Sequence, residues 1–303
     1  LICILIYSSN RFMKKKNLKI LLYHGVTDRK NRGVQNYSGK HVHVNEFYKQ
    51  MNFIKKNCNV LSIDQVPSII KKKKFLKNSV VVSFDDGFEN NYKIAVPILK
   101  KFSIPAVFYI TAGMIGKKKM FWVDQIEDLI NLTKKKEFFL KLSKKLNFSI
   151  KNKKEKIIAI NKIKKFCKKN SKLNKEKILK NLKKTLNDVQ PNINHSKNYK
   201  SMSWNQLKKI SKNPLFTIGG HSYNHNIFSK MTNKDMKKEI TKSINLLSKK
   251  LNLNIKHYAY PEGQKGDFNI ATIKFLKFKK IICCPTAIHG DNPVNTNLFY
   301  LKR

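Results

Sequence analysis

The chain has 303 residues, 41% of them hydrophobic, which is enough apolar content for a folded core and excludes wholesale disorder. Its 64 Lys and Arg against 18 Asp and Glu give a formal net charge of +46 at pH 7, which favours a polyanionic partner such as an anionic membrane, an acidic glycan or nucleic acid. Joint enrichment in Lys, Asn and Ile favours compositional drift as the source of this charge, and the scarcity of Arg argues against sequence-specific nucleic-acid binding.

The first residues are not expected to form a secretory signal. Leu1–Tyr7 is apolar but too short to span a bilayer, and it precedes the charges of Lys14–Lys16, the reverse of the order in a signal peptide. Met13 offers a translation start, so residues 1–12 are predicted to be read-through or the tail of a truncated segment, with a cleaved signal as the alternative. We therefore expect a cytoplasmic protein, and five scattered cysteines without a Cys-x-x-Cys pair agree with reduced thiols.

Short apolar runs alternate with amphipathic segments along the chain, and this alternation predicts an α/β fold with a parallel sheet. The predicted strands are Leu18–Tyr23, Val80–Phe84, Ala106–Ile110, Phe216–Ile218, His257–Tyr260 and Lys280–Cys283. The predicted helices are Glu46–Lys56, Glu89–Lys101, Asn205–Lys212, Lys234–Lys250 and Asn269–Lys277. Residues at about 117–200 interrupt this rhythm: they are rich in Lys, show no convincing strand, and carry apolar residues at helical spacing. They predict a helical insertion whose lysines form a solvated face.

Two adjacent carboxylates, Asp85 and Asp86, directly follow the apolar run Val80–Val82. They lie at the carboxyl end of a predicted buried strand, where α/β folds place their active sites. Burying two like charges side by side is costly unless a cation or a raised pKa relieves them. Successive strand side chains point to opposite sides, so one carboxylate can bind a metal while the other acts as a base. Gly87 permits a sharp turn there; the structural alternative, an N-cap for a helix near Glu89, needs only one Asp.

Two histidines, His221 and His225, follow the predicted strand Phe216–Ile218 and a pair of glycines. Their i, i+4 spacing predicts that they lie on one face of a helical turn, which suits the chelation of one metal ion. Two imidazoles and one carboxylate form a common ligand set for a catalytic metal, because they leave coordination positions open for water and substrate.

These motifs resemble those of a known family. Ser83–Gly87 resembles the Thr/Ser-Phe-Asp-Asp-Gly motif of the polysaccharide deacetylases (NodB-like, carbohydrate esterase family 4), and His221–His225 resembles their His-Ser/Thr-x-x-His motif. The resemblance extends over most of the chain from Leu18 onwards, with support from the segments Leu21–Val26, Pro105–Thr111 and Tyr258–Gly263. It implies a distorted (β/α) barrel with fewer than eight units, formed by residues 13–303 with the helical insertion at about 117–200.

The resemblance also implies roles for the residues of this chain that match the family motifs. Asp85 would be the catalytic base, and Asp86, His221 and His225 would bind one divalent metal ion. Zinc is the first choice for this ligand set, and cobalt, nickel or iron could occupy the same geometry.

A third motif departs from the common family pattern. Many members carry an Arg just before a Pro-x-Gly segment, where it orients the base, and Ala259 stands at that position here. The segment Tyr258–Pro261 instead resembles the aromatic-rich version in deacetylases of biofilm glycans. Within it, Tyr260 and Pro261 are predicted to contact the substrate.

The general acid is predicted to be His24. The common family order places an apolar strand ending in Leu-x-His near the C-terminus, but here the segment Ile20–His24 has that form, as in the circularly permuted subgroup of the family. His289, the alternative acid, lies in a Gly-, Asn- and Pro-rich tail that is typical of a solvated loop.

The implied reaction removes N-acetyl groups from an N-acetylhexosamine-containing polysaccharide or glycolipid. The metal activates water, Asp85 takes a proton from that water, and His24 protonates the leaving amine. A role in cell-surface glycan biosynthesis follows, with a peripheral contact between the Lys-rich insertion and an anionic membrane. Two alternatives stay open: a metal-dependent amidase for a small non-sugar amide, and a basic polyanion-binding protein without catalysis.

Overall fold

The computed structural model describes four stretches of the chain: residues 17–73, 75–169, 172–193 and 196–303. The predicted leader at 1–12 lies outside these described residues. The chain folds as two units. The sheet unit comprises the chain through Asp28, His41–Lys117 and Ser201–Arg303, and the insertion unit comprises Arg29–Lys40 and Lys118–Lys200.

Strands and helices alternate in the described part of the sheet unit, as the hydrophobic pattern predicts. The strands of both units are β1 (Leu18–Tyr23), β2 (Gly25–Thr27), β3 (His41–His43), β4 (Asn59–Val60), β5 (Ser79–Phe84), β6 (Ala106–Ile110), β7 (Glu137–Lys141), β8 (Lys145–Ser149) and β9 (Phe216–Gly220). The α-helices are α1 (Val44–Asn57), α2 (Val66–Lys71), α3 (Val96–Lys101), α4 (Trp122–Leu132), α5 (Lys153–Lys169), α6 (Lys172–Thr185), α7 (Trp204–Ser211), α8 (Asn233–Leu251) and α9 (Ile270–Phe278). None of the helices among the described residues has both the length and the apolar character that crossing a bilayer requires.

The main sheet is parallel, with the strand order β1-β5-β6-β9, and β4 pairs with the start of β5. All six residues of β5 are buried, because the sheet is covered on both faces, and this explains the unbroken apolar run Val80–Val82. Phe84 of β5 stacks on Phe108 of β6, with ring centroids 5.0 Å apart. Parallel pairing brings the carboxyl ends of β5, β6 and β9 to the same edge of the sheet, where the predicted catalytic motifs follow them.

Two of the predicted strands are reduced to isolated bridges. Tyr258 pairs with Gly220 at the end of β9, and His257 pairs with Cys283, which extends the pairing beyond β9. Pro261 and Pro285 follow these segments closely, and because proline has no N–H to donate, neither segment continues as a ladder.

One predicted helix, Glu89–Lys101, divides into two parts. A π-helical turn at Asn91–Ala95 precedes α3, and Val96 donates its N–H to the carbonyl oxygen of Asn91. Pro97 lacks the N–H of an ordinary helical hydrogen bond, and the wider turn before it accommodates this loss.

The insertion unit contains α4, α5, α6 and the antiparallel hairpin β7–β8. The hairpin corrects the prediction that this region has no strand. In β7 the buried residues Phe138 and Leu140 alternate with the exposed residues Glu137, Phe139 and Lys141. The alternation is only a few residues long and is flanked by lysines, so its period of two is easily missed.

The helices of the insertion unit pack around an apolar core of their own, although their surfaces are dense in lysine. Ile160 of α5 is fully buried, whereas Ile158 of the same helix is 56% exposed. We expect Ile160→Ala to lower the free energy of unfolding by about 2–5 kcal/mol, because it leaves a cavity in this core. The matched change Ile158→Ala should cost less than about 0.5 kcal/mol. Urea denaturation of both variants measures the difference; equal costs would contradict a packed core around α5.

Candidate active site and metal centre

The two predicted catalytic carboxylates lie in a tight turn at the end of β5. Asp85 continues the pairing with β1, since its N–H donates to the carbonyl oxygen of Tyr23 at 2.9 Å. Asp86 and Gly87 then adopt left-handed backbone conformations, with φ of 74° and 90°. A side chain at Gly87 would also meet Ile115 at 3.0 Å, so glycine suits this turn on both counts. The turn leaves both carboxyl groups only 3% exposed.

The structure does not support the alternative in which an Asp caps the following helix. The first helical residue after the turn is Glu89, which places the N-cap position at Phe88. Both carboxyl groups are therefore available to the site at the edge of the sheet.

The two predicted histidine ligands follow β9, but not on a helical turn as their spacing predicts. His221 continues the pairing with β6, since its N–H donates to the carbonyl oxygen of Ile110 at 2.9 Å. The chain then forms a loop in which Ser222 and His225 have left-handed backbone conformations, with φ of 62° and 58°. This loop places the centroids of the two imidazole rings 4.9 Å apart. The histidines are therefore close to each other, as predicted, but a loop and not a helical turn brings them together.

Three potential ligand atoms converge at the edge of the sheet. The Oδ1 atom of Asp86 lies 3.3 Å from Nε2 of His225 and 3.8 Å from Nε2 of His221. Ligand atoms of these three residues all lie within 4.8 Å of one another. The Nδ1 atom of His221 lies 2.9 Å from the carbonyl oxygen of Ala259. Because a carbonyl can only accept, Nδ1 carries the proton and the lone pair of Nε2 faces the carboxylates, as a metal-binding imidazole requires.

These donors fit a divalent metal ion in their chemistry as well as in their position. Two imidazole nitrogens and one carboxylate oxygen suit zinc and its neighbours in the first transition row. The cluster of Asp86, His221 and His225 consists of the three residues that the sequence analysis predicts as metal ligands.

Arg303 belongs to the candidate site, although the sequence analysis did not predict it there. Its Nη1 and Nη2 atoms donate to the two carboxylate oxygens of Asp85 at 2.7 and 2.8 Å, a bidentate ion pair in which the Arg303 side chain is fully buried. Nε of Arg303 also donates to the carbonyl oxygen of Thr286, and the guanidinium lies over the ring of Tyr109. Arg303 therefore orients Asp85, although the position that carries the orienting Arg in many family members is Ala259 here.

One feature of the sequence pointed to Arg303. The chain uses lysine almost everywhere, with only three arginines before Arg303. Only arginine offers the planar fork that matches a carboxylate, so an arginine in a chain that otherwise uses lysine is a candidate for such a contact.

The charges around Asp85 determine its protonation. Burial by itself raises the pKa of this carboxyl group, but the positive charge of Arg303 and its hydrogen bonds hold the pKa below its usual value. Asp85 is therefore ionised at neutral pH. It also lies beside the cluster, with its Oδ2 atom 3.8 Å from Nε2 of His221.

His24 lies next to this site, directly after β1 and partly exposed to solvent. Tyr23 at the end of β1 pairs with Phe84 at the end of β5, so His24 and Asp85 follow neighbouring strands at the same edge of the sheet. His289 is exposed in the loop before Arg303. The role of His24 as the general acid stays a prediction.

Tyr260 and Pro261, the predicted substrate contacts, are both buried. The Tyr260 hydroxyl donates to the carbonyl oxygen of Phe299 at 3.1 Å, and its ring stacks on Phe268 at 3.9 Å between centroids. In this arrangement Tyr260 supports the segment that leads to Arg303. Contact of Tyr260 or Pro261 with a substrate stays a prediction.

Comparison with known proteins agrees with the motifs. A family model described as polysaccharide deacetylase matches residues 72–138 and 169–281, together more than half of the chain. A poly-β-1,6-N-acetyl-D-glucosamine N-deacetylase of Staphylococcus aureus (strain MSSA476) is 35% identical over 97 residues, which are 32% of this chain and 32% of that protein. The match thus spans about a third of the length of this curated relative.

Solved structures confirm the α/β fold class. IcaB from Ammonifex degensii superposes with a TM-score of 0.61 at 17% identity, covering 95% of this chain and 90% of that one. The deacetylase PplD of Streptococcus pyogenes gives a TM-score of 0.60 at 16% identity, covering 95% and 91%. The deacetylase domain of BpsB from Bordetella bronchiseptica gives 0.54 at 14% identity, covering 96% of each chain. With its motifs at the carboxyl edge of the sheet and a family match over more than half of its length, the chain belongs to the polysaccharide deacetylase family.

Proposed function

We propose that this chain is a metal-dependent N-deacetylase that removes acetyl groups from an N-acetylhexosamine-containing polysaccharide. The observation that carries the proposal is the carboxylate of Asp85, fixed by a bidentate ion pair with Arg303 beside three converging candidate metal ligands. A base held next to a candidate metal centre is the arrangement that hydrolysis by an activated water requires.

Each residue has a separate task in this reaction. Asp86, His221 and His225 would hold one divalent metal, with zinc as the first choice and cobalt, nickel or iron as alternatives. Bound there, the metal would lower the pKa of water and polarise the acetyl carbonyl. Asp85 accepts the proton of the attacking water at its ionised carboxylate.

His24 completes the reaction as the proposed acid. An amine leaves poorly unless it is protonated, and the partly exposed imidazole of His24 is the group at this edge of the sheet that would supply the proton. The products are a free amine on the sugar and acetate.

The relative from Staphylococcus aureus suggests the substrate class. Its name specifies poly-β-1,6-N-acetyl-D-glucosamine, so we take a β-1,6-linked N-acetylglucosamine oligomer as the first substrate, with a glycolipid that bears the same sugar as the second. Cytoplasmic placement and contact of the Lys-rich insertion with an anionic membrane stay proposals that rest on charge.

Acetate release from a β-1,6-linked N-acetylglucosamine oligomer tests the activity and the identity of the acid. We expect release by the zinc- or cobalt-loaded protein, and a loss of about 10²–10⁴-fold in kcat for His24→Ala, because the leaving amine loses its proton donor. His289→Ala is the matched control and should retain the parental kcat. If His289→Ala were the impaired variant, the assignment of the acid would be reversed.

A parallel assay with a small N-acetylated amide that carries no sugar separates the glycan proposal from the amidase alternative. Hydrolysis of the small amide in the absence of any acetate release from the oligomer would exclude the glycan as the substrate.

A further inference from the structure

Glu239 is a buried acidic residue in a helix that is otherwise rich in lysine. It lies in the second turn of α8, on the side that also buries Met236, Ile240 and Ser243, and it is 6% exposed. A buried carboxyl group is costly unless hydrogen bonds compensate for the water it has lost. The position of its hydrogen-bond partners therefore indicates what Glu239 does.

Glu239 accepts hydrogen bonds from the two residues that flank His225. Its Oε1 atom accepts the backbone N–H of Asn224 at 2.5 Å and the side-chain amide of Asn226 at 3.4 Å. Its Oε2 atom accepts the side-chain amide of Asn224 at 3.3 Å. One carboxyl group thus holds the chain on both sides of the histidine.

The preceding part of this loop is held by backbone groups of another segment. The N–H of Ala112 donates to the carbonyl oxygen of Ser222 at 3.1 Å, and the N–H of Gly113 donates to that of Tyr223 at 2.8 Å. Both donors lie directly after β6 and are therefore anchored to the sheet. Glu239 supplies the corresponding anchor for Asn224 and Asn226.

His225 needs this support because its backbone is in an unfavourable conformation. Its φ of 58° lies in the left-handed region, which is disfavoured for residues other than glycine. The hydrogen bond from its own N–H to Oγ of Ser222, at 2.7 Å, supports one side of the turn. Without a hold on Asn224 and Asn226, the turn could relax, and Nε2 of His225 would move from its place 3.3 Å from Oδ1 of Asp86.

We propose that Glu239 is a positioning residue that preorganises His225 for metal binding, an inference that rests on the metal site of the proposed function. Ligand groups that are held in place before the metal arrives lose less freedom on binding, so they bind it more tightly. Glu239 touches neither the reacting atoms nor the predicted ligand atoms. Its effect on the site passes through the loop that carries His225.

Metal titration of the chelator-treated full chain tests this role without any substrate. The probes are Zn²⁺ and Co²⁺, with the visible absorption of the Co²⁺ form as the signature of the ligand geometry. We expect Glu239→Ala to raise the metal dissociation constant by about 10- to 100-fold and to alter the Co²⁺ spectrum. Glu239→Gln should restore most of the affinity, because its amide oxygen can still accept the N–H of Asn224.

Asp235→Ala is the matched control. Asp235 is an acidic residue of the same helix, but its side chain accepts the hydroxyl of Thr232 at the start of α8. Its loss should lower the thermal stability of the metal-free protein without changing metal affinity. Should Glu239→Ala fail to fold, Glu239→Asp replaces it in the titration. The aspartate side chain is one methylene shorter, so its carboxyl group cannot make the same contacts.

The outcomes separate this inference from the proposed function. Parental metal affinity in Glu239→Ala, with only a lower unfolding temperature, would mean that Glu239 supports the fold alone and would overturn the inference. A parent chain that binds neither ion would overturn the metal site and this inference together. Metal binding by the parent that weakens in Glu239→Ala and recovers in Glu239→Gln supports both.

Discussion

Arg303→Met is expected to lower kcat for acetate release by about 100-fold, because a base that is no longer held in place accepts the proton of the attacking water from a poorer geometry. The substitution removes both donors to the Asp85 carboxylate while leaving an apolar chain of similar length in the buried space. KM should change little, since Arg303 is fully buried behind Asp85. The measurement is a steady-state rate profile as a function of pH.

The same variant should move the acid limb of that profile to higher pH. In the parent, burial raises the pKa of Asp85, and the positive charge of Arg303 is the largest effect that lowers it. Removing the charge leaves burial less opposed, so the pKa rises. Asp85 acts as a base only when it is ionised, and activity is lost as pH falls through its pKa. A higher pKa therefore shifts that loss upward.

Arg303→Lys separates the two effects of the guanidinium. Lysine keeps a positive charge but cannot present two parallel donors to one carboxylate. We expect a lower kcat in this variant with a smaller displacement of the acid limb. An unmoved acid limb in Arg303→Met would contradict the proposed control of Asp85. Because that variant leaves a buried carboxylate without its ion pair, its unfolding should be measured alongside.

The second large effect is expected from the metal ligands. Asp86→Asn should abolish stoichiometric zinc binding and reduce acetate release on the order of 10³-fold. Asp86 supplies the carboxylate of the cluster found among the described residues, and the amide that replaces it carries no charge. Treatment of the parent with a chelator should have the same effect on activity, and added zinc or cobalt should restore it. Metal content by elemental analysis and acetate release are measured on the same samples.

Asp85→Asn is the matched control for that experiment. The two carboxylates are neighbours in the chain and equally buried, at 3% exposure each. Only Asp86 belongs to the threefold cluster, so Asp85→Asn should retain metal while losing activity. Loss of metal in both variants, or in neither, would contradict the separate roles of the two residues.

Much of the fold could be predicted because its signals are local. The unbroken apolar run before Asp85 predicts a strand buried on both faces, and the helical spacing in Lys234–Lys250 predicts α8; both are found. Short elements with a faint hydrophobic pattern were not predicted. The hairpin β7–β8 lies in a lysine-rich stretch, and its short alternation of buried and exposed residues is confirmed only by the strand pairing.

The candidate site also has features that a local sequence pattern predicts and features that it does not. The residues Asp85, Asp86, His221 and His225 each follow a strand in a short motif, so residue type and spacing predicted them as candidates, and the structure brings them together. The conformation of the histidine loop was predicted wrongly as a helical turn, because an i, i+4 spacing is equally compatible with a loop of left-handed residues. That loop depends on anchors from β6 and from Glu239, which no local pattern displays.

The sequence by itself therefore determined the family and the α/β class, and it supplied the candidates for the metal ligands and the base. Only the tertiary structure decided how that base is held. Arg303 is 218 residues from Asp85 along the chain, and it forms the ion pair with Asp85 in a chain that has Ala259 at the position of the usual family arginine. A motif records which side chains one element presents, whereas a bidentate ion pair between distant segments exists only when the packing of the whole sheet unit brings them together.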